Sequence, residues 1–85
     1  MTIVTRRSSA TFAAPFTVRG VEGQQPAGTY EIETDEEVIE GNGHVVRRRI
    51  ATLMFIRRGQ ATETWTIDPA DLAAALARDS GAPPI

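Results

Sequence analysis

Apolar and polar residues alternate along most of this chain, and the spacing lengthens only near its C-terminal end. Thr29-Tyr30-Glu31-Ile32-Glu33-Thr34 sets Tyr30 and Ile32 to one side and two glutamates to the other, the pattern of a half-buried strand. Upstream, Phe12, Phe16 and Val18 share one parity over residues 11–19. Pro15 lacks an amide donor there, so the spacing predicts an interrupted or edge strand. Three glycines and Pro26 between Gly20 and Gly28 predict an exposed loop. Asp35 and Glu36 suit a turn, after which residues 37–40 read as a short strand ending at Gly41-Asn42-Gly43. An Asn-Gly pair supplies the positive φ values of a tight hairpin.

Residues 44–57 begin amphipathic and become almost continuously apolar at Ile50-Ala51-Thr52-Leu53-Met54-Phe55-Ile56. Such a run predicts a central strand covered on both faces. Arg58-Gly59-Gln60 can turn the chain into residues 61–67, where Trp65 and Ile67 face one way and Thr62, Thr64 and Thr66 the other. At Asp68-Pro69-Ala70-Asp71 the pattern changes. Asp68 fits an N-cap, Pro69 the first helical position and Asp71 the positive end of the dipole. Leu72, Ala75 and Leu76 then form a stripe suited to lie on a sheet, with Gly81 as the stop.

The expected fold class is therefore mainly β, a small rolled antiparallel sheet or barrel of about five strands with one short C-terminal helix. With 85 residues there is material for one core. Residues 11–80 are expected to form it, flanked by a flexible N-terminal segment (1–10), which has little periodicity, and a flexible Gly-Pro tail (81–85). The chain has no cysteine, which removes disulfides and thiolate chemistry together. No run suits a signal segment or a membrane span, so a cytoplasmic protein without membrane partners is the expectation.

Net charge is −2, and all nine basic residues are arginine. An acidic balance disfavours a dedicated nucleic-acid binder. Arg47-Arg48-Arg49 and Arg57-Arg58 nevertheless raise the question, and Arg47, Arg49 and Arg57 share strand parity as candidate contacts to a nucleic-acid backbone. A purely structural role competes. If Asn42 and Gly43 are the hairpin turn, Val38 pairs with Arg47, Glu37 with Arg48 and Glu36 with Arg49, giving cross-strand charge pairs. Only a bulge would let the triplet form one continuous patch.

Chemistry is sparse. The single histidine, His44, follows the hairpin turn with no nucleophile beside it in the sequence. The carboxylates of residues 31–40 alternate along strands rather than following a calcium-loop spacing, and the glycines precede no helix that would receive a phosphate. No catalytic residue, metal or cofactor is expected. Trp65 is expected to be a core anchor. Leu53, Phe55 and Trp65 are alternatively candidates for an exposed contact surface.

The segments Gln25-Pro26-Ala27-Gly28-Thr29-Tyr30, Glu36-Glu37-Val38-Ile39-Glu40-Gly41 and Arg48-Arg49-Ile50-Ala51-Thr52 resemble a pattern found in short uncharacterised bacterial proteins. The resemblance covers about half the chain and implies no activity. By elimination, the expected role is a non-catalytic protein-interaction module that contacts a partner or forms a homodimer. A nucleic-acid-binding small barrel is the second expectation, and an accessory subunit of a multi-chain enzyme the third.

Overall fold

The computed structural model describes residues 2–81. Four strands, β1 (Thr2–Phe12), β2 (Gly28–Gly41), β3 (His44–Arg58) and β4 (Ala61–Ile67), form one antiparallel meander in the order β1-β2-β3-β4, and α1 (Pro69–Asp79) follows. The sheet is open. β1 and β4 stand at opposite edges, and the seven residues of β4 pair only with Thr52–Arg58 of β3. The expected mainly β class and C-terminal helix are present, whereas the closed barrel and the fifth strand are not.

The strand count differs because one turn signal was overruled. Asp35 and Glu36 stay extended within β2, since β1 supplies partners for both. The Thr5 hydroxyl donates to Asp35 Oδ1 at 2.8 Å, and Arg6 Nε lies 2.9 Å from Glu36 Oε1. What read as two short strands is therefore one of 14 residues. The first strand also lies earlier than expected: residues 2–10 belong to β1, in register from Thr2 opposite Val38 to Phe12 opposite Gly28. Beyond Phe12 the chain leaves the sheet, and the Phe16–Gln25 bridge is all the pairing that residues 13–27 make. Most of the expected C-terminal tail, residues 82–85, lies outside the described residues.

Both hairpins follow their turn chemistry. Asn42 (φ 50°) and Gly43 (φ 76°) join β2 to β3, two left-handed residues in succession. The register they impose is the expected one, with Val38 opposite Arg47, Glu37 opposite Arg48 and Glu36 opposite Arg49. At Asp35/Glu36 the register shifts, because Asp35 pairs with Ala51 and Ile50 is left without an opposite residue. This β-bulge exchanges the faces of β3 between its two halves.

One face of the sheet is covered. Ala10, Phe12, Tyr30, Ile32, Met54, Ile56 and Ile67 meet Phe16, Val18 and Val21 of the 13–27 segment and Ala75 of α1 in a single buried cluster, against which Trp65, Leu72 and Leu76 pack. Phe12 and Phe16 stack with ring centroids 3.5 Å apart, and Tyr30 stands edge-on to both. Each such side chain contributes about 1.5–3 kcal/mol when fully buried. Gln25 is 1% exposed within this layer. Its amide donates to the Glu22 and Gly23 carbonyls and its oxygen accepts from Arg58, so its burial leaves no polar atom stranded.

The helix is tied at both ends. Asp68 accepts from the Ala70 amide at 2.8 Å, as an N-cap should. At the other end, the Asp79 carboxylate accepts from the Ala13 and Ala14 amides, and Arg78 donates to the Thr17 carbonyl. These contacts clamp α1 and the 13–27 segment over the same end of the sheet.

Candidate functional site

The covering layer spans only part of the sheet. Its sheet contacts come from residues 10–12 of β1, 30–32 of β2, 54–56 of β3 and residue 67 of β4. Past that line, β2 and β3 continue to the Asn42-Gly43 turn, with β1 alongside as far as Val38. Every residue from Ile39 to Ile50 is solvent-exposed. Ile3, Ile39, Val45, Val46 and Ile50 are large apolar side chains exposed at 42–61%. Their alternation satisfies the pairing rules of a strand but buries little.

This distal half also has an open edge. β4 ends at Ile67, opposite Thr52, so His44–Ala51 of β3 has β2 on one side and no strand on the other among the described residues. Half of its amides and carbonyls therefore point outward, the arrangement that receives an added strand.

Charge is arranged by strand. The acidic residues 31–40 lie on β2, and basic residues flank them on β1 and β3. On the uncovered face Arg7 reaches Glu31 and Glu33 at 3.4 and 3.6 Å, and Arg48 reaches Glu37 at 3.2 Å. On the other face Arg6 takes Glu36, the residue expected to pair with Arg49. Among the described residues Arg47, Arg49 and Arg57 make no ion pair.

The candidate contacts read from parity do not all come together. Arg47 and Arg49 lie opposite Val38 and Glu36, on the side of the sheet that carries the helix. The bulge at Ile50 puts Arg57 on the opposite side, where it lines a depression with Phe55, Glu31 and Thr62. Parity counted without the bulge misplaces Arg57. Leu53, Phe55 and Trp65 likewise form no common surface: Leu53 and Phe55 are half-buried on the uncovered face, and Trp65, opposite Met54, packs on the core. His44 is exposed beside the turn, opposite Gly41.

Arg47 and Arg49 instead join a residue that the sequence did not single out. A cavity of about 490 Å³ on the helix side is lined by Arg6, Arg47, Arg49, Glu36, Thr34 and Thr52, with Pro69 of α1 at one side. Arg6 belongs to a stretch without apolar periodicity, and only the β1–β2 register places it here, opposite Thr34. Thr52 is 3% exposed, and its hydroxyl has no hydrogen-bond partner.

Elsewhere, two groups have displaced acidities. Glu63 accepts from Arg58 Nε at 2.7 Å and from the Trp65 indole at 3.1 Å. The Arg58 bond, then the Trp65 bond, hold its carboxyl below the usual range. Burial pushes the Tyr30 hydroxyl up, with Arg58 opposing; this hydroxyl donates to the Pro26 carbonyl. Both contacts secure the covered half.

No helix among the described residues is long and apolar enough to cross a membrane. No family model matches the chain, and no curated protein or solved structure does.

Proposed function

We propose that this chain is a non-catalytic interaction module that receives an extended, acidic segment of another protein along the open edge of β3. The observation that carries the reading is the unpaired stretch His44–Ala51, which combines outward backbone groups, exposed Val45, Val46 and Ile50, and three consecutive arginines. Strand addition draws affinity from main-chain hydrogen bonds and specificity from alternate side chains. An incoming strand would continue the line of β4 beyond Thr52.

Charge selects the occupant. Two copies pairing antiparallel through this edge about Arg48 would set Arg47 against Arg49, and like charges directly opposite are destabilising. The β1 edge carries Arg6 and Arg7, and the β4 edge a single carboxylate, Glu63, already held by Arg58, so pairing with either edge of a second copy offers no acidic complement. An acidic strand meets arginine on both faces.

Light scattering and amide chemical-shift mapping test this with a short acidic peptide of alternating glutamate and valine. The expected result is a monomeric chain that binds the peptide with shifts concentrated on residues 44–51. A stable dimer indifferent to the peptide would overturn the choice of occupant, and tighter binding of a single-stranded oligonucleotide than of the peptide would favour the nucleic-acid reading instead.

A further inference from the structure

We propose that the cavity bounded by Arg6, Arg47, Arg49 and Thr52 is a binding site for a dianionic phosphate group. The inference does not depend on strand docking, because it concerns a face of the sheet rather than its edge. Four arginines line the cavity with a single carboxylate, Glu36; the Arg7 guanidinium is turned to Glu31 and Glu33 on the other face, which leaves Arg6, Arg47 and Arg49 from two strands on this one. Glu36 is already held by Arg6 at 2.9 Å, which leaves the charges of Arg47 and Arg49 uncompensated. A dianionic phosphate balances both, and guanidinium forks fit its oxygens in paired hydrogen bonds.

One of the lining residues gives a second, independent indication. Thr52 lines it, is buried, and has a hydroxyl with no partner. Unsatisfied buried polar atoms are uncommon, and an oxyanion oxygen is an acceptor that this hydroxyl lacks. The bulge at Ile50 makes the arrangement possible, since it lets Arg47 and Arg49 share a face with Thr52 although their positions in the chain have opposite parity. The N-terminus of α1 is not part of the argument, because Asp68 already accepts from the Ala70 amide there. No aromatic side chain lines the cavity, so the site addresses the phosphate group and not a stacked base.

The test is a titration of the full chain, followed through arginine Nε–H and backbone amide resonances, in three arms: inorganic phosphate, a phosphoserine peptide, and the same peptide with glutamate in its place. Saturable shifts at Arg47, Arg49 and Thr52 with the two phosphate ligands are expected, with the glutamate peptide weaker. Arg47→Gln with Arg49→Gln should weaken phosphate binding by roughly tenfold or more, and Arg57→Gln, on the other face, should leave it unchanged. Thr52→Val removes no intramolecular hydrogen bond, so it should fold normally and still bind several-fold more weakly. Equal affinity for inorganic phosphate and phosphopeptide assigns the site to a free phosphate, and tighter phosphopeptide binding to a modified partner. Shifts spread evenly over Arg19 and Arg57, binding that survives the double substitution, or a Thr52→Val chain that binds like the parent would overturn the proposal.

Discussion

The two halves of this sheet obey the same pairing rules and differ in what lies over them. In the covered half, alternation delivers Phe12, Tyr30, Ile32, Met54 and Ile56 to a layer made by α1 and residues 13–27. In the distal half, the same alternation delivers Val45, Val46 and Ile50 to solvent. Strand formation therefore does not require coverage: a two-residue turn, backbone pairing and cross-strand charge extend β2 and β3 past their core. The stability of the molecule resides in one half, and its exposed apolar and arginine chemistry in the other.

Large-to-small substitutions sharpen this contrast most. Phe12→Ala should cost about 3–5 kcal/mol in denaturant unfolding, since it removes a ring stacked on Phe16 and leaves a cavity. Val46→Ala should stay within about 0.5 kcal/mol, as exposed positions do. Equal losses at the two sites would remove the distinction. Asp79→Ala comes next, at about 1–3 kcal/mol, because it removes the carboxylate that accepts from the Ala13 and Ala14 amides and frees the helix from the covering segment.

Thr52→Val at the boundary should be stabilising by up to about 1 kcal/mol, because the hydroxyl it removes is buried without a partner. Thermal unfolding would show a raised midpoint; a clear loss would mean that the hydroxyl is satisfied in the folded chain.

The smallest expected effect is on pH. The hydrogen bond from Arg58, then that from Trp65, lowers the pKa of Glu63. A carboxyl depressed in the folded state stabilises fully above its ordinary pKa, near 4.3, and loses that contribution as pH falls through the lower folded value. Carboxyl titration by NMR should place Glu63 below the ordinary glutamate value, and Arg58→Gln should move it back toward that value. A Glu63 indifferent to that change would contradict the contact.

Legibility in the sequence follows the same division. Signals local to a few residues were reliable: Asn42-Gly43 set the β2–β3 register, and Asp68-Pro69 marked the start of α1. Features that depend on a neighbouring strand were not. Asp35 and Glu36 read as a turn because their partners, Thr5 and Arg6, are some thirty residues away. Residues 2–10 read as unstructured because backbone pairing and charge hold them in place, with Ala10 alone among them buried in the core. The bulge at Ile50 has no signature of its own, and it puts Arg57 on the face opposite Arg47 and Arg49, which the strand registers bring to the side of Arg6. The candidate site was thus legible as residues, two of its arginines being visible, but not as a place.

Amide hydrogen exchange on the dilute chain, with and without the acidic peptide, reads the covered and open stretches of β3 side by side. The account predicts that Met54 and Ile56 are strongly protected in both samples, whereas outward-facing amides between Val45 and Ile50 exchange far faster in the free chain and slow when the peptide is added. Equal protection of both stretches in the free, dilute chain would contradict it, because the edge assigned to a partner would then already be closed.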